Sequence, residues 1–144
     1  MEEFYNTLIS CQANLFCLFQ KTWMYHWNVM GNEFFQLHEM FGNQYETMFS
    51  EIDRLSEHMR YLKIKPMVTL SGIVSLSEIP EAESVISSRE MVSQLMNDNQ
   101  TIVDKLTAAA IKADELNQIA TANLIQDIIE THGKFIWMLR STLS

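Results

Sequence analysis

Residues that break or turn a backbone are few in this chain: its 144 residues hold 4 Gly and 2 Pro. That scarcity excludes an architecture of many tight turns and points to long elements in one compact domain spanning residues 1–144. Cysteine is almost absent too. Cys11 and Cys17 are six positions apart, which on a helix rotates them by about 240° onto different faces, so no intrachain bridge is expected. Both read as small hydrophobes in a reducing cytoplasm. Basic residues are outnumbered, 10 Lys+Arg against 18 Asp+Glu for a net charge of −8, and no stretch concentrates them. General nucleic-acid binding, which displaces counterions from phosphate with Lys and Arg, is therefore not expected. No apolar run approaches the ~18 residues of a membrane span, and no signal-peptide pattern appears, so the expectation is a soluble cytoplasmic protein. Apolar side chains are plentiful, at 47% of residues. That is enough burial to offset the ordering entropy that keeps polar chains disordered.

Those apolar residues recur at intervals of three and four. From Glu3 to about Met30 the stripe is Leu8, Cys11, Leu15, Leu18 and Thr22, an amphipathic helix. Gly31 and Asn32 are expected to end it, Gly31 as a left-handed residue just past the helix and Asn32 as the cap of the next. A second helical stripe, from Phe34 through Leu37, Phe41, Tyr45, Met48, Ile52, Leu55 and Met59 to Leu62, stops before Pro66. Residues 66–86 contain both prolines and several serines, and read as a long crossover with one short helix around Leu70 to Glu78. Ser87 and Glu90 then have capping-box spacing. The helix they start carries Met91, Leu95, Ile102 and Leu106 to about Ala113. A last helix from near Asn117 carries Ala122, Ile125, Ile129, Ile136 and Leu139. Two helices, a long crossover and two more helices is the connectivity of an all-α, ferritin-like four-helix bundle.

The candidate chemistry lies in "YHWNVMGNEFFQLHEMF" and "EIDRLSEHM". His26 is five residues before Gly31 and His38 seven after it, so antiparallel helices bring the two imidazoles to similar height. Asp53 and Glu57, at i and i+4, share one helix face. Two imidazoles with two carboxylates form a mixed N/O set suited to Fe(II), Mn(II) or Zn(II). Asp53, however, lies fifteen residues beyond His38 on the same helix, about 22 Å along its axis. A single chain cannot bring both pairs within the roughly 2 Å of a ligand bond. An antiparallel two-fold pairing of the second helix, with its dyad near Tyr45 and Glu46, would set His38 of one copy against Asp53 of the other and create two identical sites.

The runs "HWNVMGNEFFQLHEMF" and "EIDRLSEHM" resemble the Dps family, the dodecameric mini-ferritins also called DNA-binding proteins from starved cells. The pattern is kept at His26, Trp27, Asn28, Val29, Gly31, Phe34 or Phe35, Leu37, His38, Phe41, Asp53 and Glu57, and "ATANLI" and "KFIWML" resemble the family's last helix. The resemblance implies an intersubunit ferroxidase centre of His26 and His38 from one subunit with Asp53 and Glu57 from its neighbour. It implies Fe(II) oxidised by hydrogen peroxide, or more slowly by dioxygen, with ferric mineral held in a hollow homo-oligomeric shell, a dodecamer of two-fold dimers. It implies protection against oxidative damage.

Two positions depart from that pattern. Where the family commonly has an Asp four residues after the second histidine, this chain has Gly42, so a second iron is expected to be weakly held or to depend on Glu39, Glu46 or water. Asn123 stands where the family often has an Asp near its iron-entry pores, with Asp127 one turn further on. His58 and His132 fit no ligand pattern and read as surface or capping residues. The Lys/Arg-rich tail that the family's DNA binding resembles is not present, so DNA binding is not expected. A di-iron enzyme with metals inside one bundle needs Glu-x-x-His pairs. The residues three before the histidines are Trp23, Phe35, Leu55 and Ile129, so no such pair exists and that reading is disfavoured. A non-catalytic ferritin-like shell or scaffold with an impaired metal site remains the alternative.

Overall fold

The computed structural model describes residues 1–144. It contains five helices and no strands: α1 (Glu2–Asn28), α2 (Phe34–Tyr61), α3 (Leu70–Leu76), α4 (Ser88–Glu115) and α5 (Ile119–Leu143). The helical stripes read from the sequence face inward. Leu8, Cys11, Leu15, Leu18, Leu37, Phe41, Met48, Leu55, Met59, Met91, Leu95, Ile102, Leu106, Ile125 and Leu139 all belong to one continuous core. Burying each of the larger ones stabilises the fold by about 1.5–3 kcal/mol before its ordering entropy is subtracted. No helix is long and apolar enough to cross a membrane.

Long helices form where the stripe is unbroken, and end where a backbone device stops them. Ser87 accepts from the Glu90 N–H and Glu90 reaches back to the Ser87 N–H, the capping box read from the sequence. At the other end of α4, Asn117 takes a positive φ of 57° and the Gln118 N–H closes on the Ala113 carbonyl at 2.8 Å. Lys63 does the same after α2, at φ 65°, with the Ile64 N–H on Met59 O at 2.8 Å. Both are left-handed C-terminal caps that satisfy orphan carbonyls, and the second stops α2 well before Pro66.

The α1–α2 turn differs from expectation. Gly31 does take a positive φ, 110°, but α1 has already ended: Val29 is extended at ψ 140° and almost fully buried. Drawing that side chain into the core takes the backbone off the helix two residues before the glycine. Asn32 is not the next cap; Glu33 is, through its carbonyl, which accepts from the Leu37 N–H at 3.0 Å.

Polar groups on α1 hold the crossover. Asn14 Oδ1 accepts from the Glu78 N–H at 2.8 Å and the Ser77 hydroxyl at 3.2 Å. Gln12 accepts from the Met67 N–H at 3.0 Å, and the Tyr25 hydroxyl from the Glu83 N–H at 3.1 Å. A non-helical segment lying against a bundle needs partners for its backbone, and these side chains supply them. Between α1 and α4 runs a buried ion pair, Lys21 Nζ to Asp98 Oδ2 at 2.7 Å. Burial pushes the Asp98 carboxyl above its ordinary range, against the opposing pull of Lys21.

Candidate metal centre

His26, near the end of α1, and His38, in the second turn of α2, meet across the hairpin. Their rings stack with centroids 3.8 Å apart and planes 13° from parallel. His26 Nδ1 lies 2.6 Å from the His38 carbonyl oxygen, and His38 Nδ1 lies 2.7 Å from that of His26. A carbonyl only accepts, so each Nδ1 carries the hydrogen, and in a neutral ring each Nε2 keeps its lone pair. This is the outer hydrogen bond that fixes a metal-binding imidazole in its tautomer and orientation. Phe34 stacks on His38 at 5.0 Å, and Tyr45 tilts against His26 at 5.2 Å.

The stack limits what the pair can hold. A ligand bond of roughly 2 Å runs along the lone pair, in the plane of its ring. Two nearly parallel rings 3.8 Å apart cannot both point their lone pairs at one ion. In this geometry one ion could be held by only one of the two imidazoles.

Asp53 and Glu57 are exposed and make no hydrogen bond or ion pair within the chain. No three His, Cys, Asp or Glu side chains of one chain gather around a common point. The structure brings the histidines together and leaves the carboxylates apart from them. Beside the imidazoles lies an outward aromatic surface. Phe16, Phe19, Trp23 and Trp27 follow one another along α1, and Tyr45 and Phe49 of α2 close against Phe19. Trp27 pairs with Trp23, at 4.9 Å. Within the chain, the aromatic side chain against His26 is that of Tyr45.

His132 corrects the sequence expectation of a surface or capping residue. His132 is fully buried: its Nδ1 lies 2.7 Å from Asn99 Oδ1 and its Nε2 2.7 Å from Glu51 Oε1. Asn99 donates its amide N–H to the Leu95 carbonyl, so its oxygen faces the ring and accepts from Nδ1. This chain of three side chains ties α2, α4 and α5. A signal for it existed, because His132 falls on the α5 stripe between Ile125 and Leu139, and Glu51 on the α2 stripe between Met48 and Leu55. A polar residue on an apolar stripe needs a buried partner. His58 is half-buried, 2.8 Å from the Thr121 hydroxyl. Burial, aided by the Arg54 charge, holds its pKa below the ordinary histidine value. Asp127 pairs with Arg54 at 3.2 Å on the surface, so part of the negative charge expected of it is neutralised.

Four long helices with one crossover make this a ferritin-like bundle, and the ferritin-like domain family matches residues 6–144. The chain is 37% identical over 131 residues to a DNA protection during starvation protein of Brevibacillus brevis, covering 91% of this chain and 88% of that protein. A Dps protein of Bacillus brevis superposes with a TM-score of 0.96 at 34% identity, over 99% of this chain and 96% of its own. A Dps protein of Vibrio cholerae O1, described as a member of a broad superfamily of ferritin-like diiron-carboxylate proteins, gives 0.95 at 29% identity, over 99% and 90%. The chain belongs to the Dps family.

Proposed function

We propose that this protein is a cytoplasmic mini-ferritin that takes up Fe(II) and oxidises it with hydrogen peroxide, or more slowly with dioxygen, at sites shared between two subunits. The ferric product is kept as mineral inside a homo-oligomeric shell, a dodecamer of two-fold dimers, and the consumption of iron and peroxide together protects against oxidative damage. The observation that carries this reading is the reciprocal His26–His38 pair. Two imidazoles with pinned Nδ1 and open Nε2 sit beside an outward aromatic surface, half of a metal centre with nothing in the chain to complete it.

Asp53 and Glu57 of a second copy complete it. Asp53 lies about 22 Å and Glu57 about 28 Å along α2 from His38, so an antiparallel pairing that sets His38 against Asp53 has its dyad near Tyr45, beside the aromatic surface. Exposed Trp23 and Phe49 then become buried contact, and each dimer gains two identical sites. The donor set of imidazole and carboxylate suits Fe(II), and the carboxylates favour the ferric product as its charge rises. In the reaction, two Fe(II) each lose one electron, the O–O bond of peroxide breaks, and two protons are taken up to give two waters.

The test is anaerobic Fe(II) loading followed by peroxide, on the wild type and on His38→Ala. The wild type is expected to oxidise iron well above the rate in buffer and the variant near that rate; equal rates remove the site assignment. A size-exclusion mass of a stable monomer removes the shared-site geometry. With a net charge of −8, no salt-sensitive, submicromolar complex with duplex DNA is expected in a gel shift. A second reading, a shell or scaffold with an impaired metal site, is favoured by one feature, the absence of an acid at Gly42. Wild-type oxidation at the buffer rate in an intact shell establishes it.

A further inference from the structure

Away from the imidazoles, a cavity of about 650 Å³ lies between the N-terminal half of α1, the end of α3 and α4. Asn14 marks one end of it. This residue is 2% exposed, and its Oδ1 accepts from the Glu78 N–H and the Ser77 hydroxyl. A backbone N–H only donates, so the amide cannot be flipped. Its Nδ2 is left on the cavity side with two hydrogens and no acceptor in the chain. Buried donors are normally paired; this one is held rigid and unpaired.

The helix register puts a second donor beside it. Tyr25 meets Gln94 and Lys21 meets Asp98, so α1 and α4 run antiparallel. Seven residues on from each member of the Lys21–Asp98 pair, Asn14 comes level with Lys105. Lys105 lines the same cavity and is tied to Glu78 at 3.2 Å, which uses one of the three hydrogens an ammonium donates.

The opposite end is acidic. Glu2 and Glu3, in the first turn of α1, line the cavity, and of the three lining acids only Glu78 has an ion-pair partner. From Asn14 to Glu3 is eleven residues, about 16 Å along the helix axis. A hydrogen bond of about 3 Å at each end leaves about 10 Å between the polar ends of a ligand. Asn6 and Ser10 line the stretch between and offer it further polar groups.

We propose that this cavity binds a short peptide of about three residues with free termini, its carboxylate on Asn14 Nδ2 and Lys105 Nζ and its ammonium on Glu2 and Glu3. Three extended residues span about 10 Å, and their peptide groups match Asn6 and Ser10. An alkyl chain of the same length leaves those two side chains unmet. A metal ion or a polyamine meets only donors and a positive charge at the Asn14 end. The site is separate from the His26–His38 pair and does not depend on the function proposed for it.

Calorimetric titration of triglycine into the assembled protein tests this, with N-acetyl-triglycine and triglycine amide as end-blocked probes. Thermal midpoint and size-exclusion mass are recorded for each variant. The wild type is expected to bind one triglycine per chain and to lose about tenfold or more in affinity when either end is blocked, since each end makes charge-assisted bonds. Asn14→Asp keeps an oxygen for the Glu78 N–H but turns the free donor into an acceptor. It should bind triglycine at least about tenfold more weakly and lose the preference for a free carboxylate. The double variant Glu2→Gln, Glu3→Gln should lose the preference for a free ammonium. No binding by the wild type at millimolar triglycine, equal affinity for the three probes, or unchanged affinity in Asn14→Asp overturns the proposal. Tighter binding of 8-aminooctanoate than of triglycine overturns the peptide assignment. Should Asn14→Asp fail to assemble, the wild type and the exposed Glu2, Glu3 variant decide through the end-blocked probes.

Discussion

Histidine occurs in two settings in this bundle, and the difference between them lies in the second ring nitrogen. His26 and His38 are half-buried at the end of the α1–α2 hairpin, and each uses Nδ1 to grip the other's backbone while Nε2 makes no bond. His132 is fully buried between α2, α4 and α5, with both nitrogens engaged by Asn99 and Glu51. The first arrangement can accept a ligand without losing anything. The second cannot, because opening it would strand a carboxylate and an amide away from water. Burial alone does not separate a candidate metal ligand from a brace; the state of the last free nitrogen does.

The comparison can be broken most forcefully at the brace. His132→Ala is expected to lower stability by about 3–5 kcal/mol, since Glu51 is left buried without its partner. Urea unfolding should show this as a fall in midpoint at unchanged slope, with Fe(II) stoichiometry intact in the folded protein. A loss well under about 1 kcal/mol would show that the buried chain holds nothing together. Glu51→Gln sharpens the same point. A glutamine amide can donate to His132 Nε2 while Nδ1 still donates to Asn99, so the expected loss is only about 1 kcal/mol. A loss as large as that of His132→Ala would mean that the brace depends on charge rather than on hydrogen-bond satisfaction.

His38→Ala should behave in the opposite sense. Its imidazole is half-exposed, so denaturation should register about 1 kcal/mol or less, while Fe(II) oxidation falls to the rate in buffer. The last effect is absent near neutral pH and concerns the buried thiol of Cys11, which burial pushes from 9.0 up to about 12, against the opposing pull of Lys105. Above pH 9 the unfolded thiol ionises and the folded one does not. Stability from this group is therefore complete below pH 9 and lost as pH rises toward 12. Cys11→Ala should flatten that part of the stability–pH curve, and in the folded wild type Cys11 should resist alkylation near neutral pH.

Much of the fold was legible because its signals are local. Leu8 to Thr22, Leu37 to Met59 and Met91 to Leu106 recur at helical spacing, and Ser87 with Glu90 marks a helix start within four residues. The pairing of His26 with His38 followed from their near-equal distances to the Gly31 turn. The errors lie where a distant residue decided the outcome. The α1 terminus moved because Val29 found a place in the core, and His132 left the surface because Glu51 and Asn99, on two other helices, face it. Gly42 was visible as a missing acid, but that a Cβ there would lie 3.1 Å from His26 Cε1 was not.

The amino-acid order by itself determined the helices, the crossover and the two halves of the proposed metal centre, too far apart to meet in one chain, because periodicity, capping and rise per residue are properties of neighbouring residues. Only the tertiary structure decided which imidazole nitrogens are bonded, that the two rings stack, and that His26 lies where a Cβ on Gly42 of α2 would come within 3.1 Å of its ring. Those facts depend on where groups from different helices come to lie within a few ångströms. Hydrogen-bond satisfaction is settled at that scale, and no spacing along a single helix encodes it.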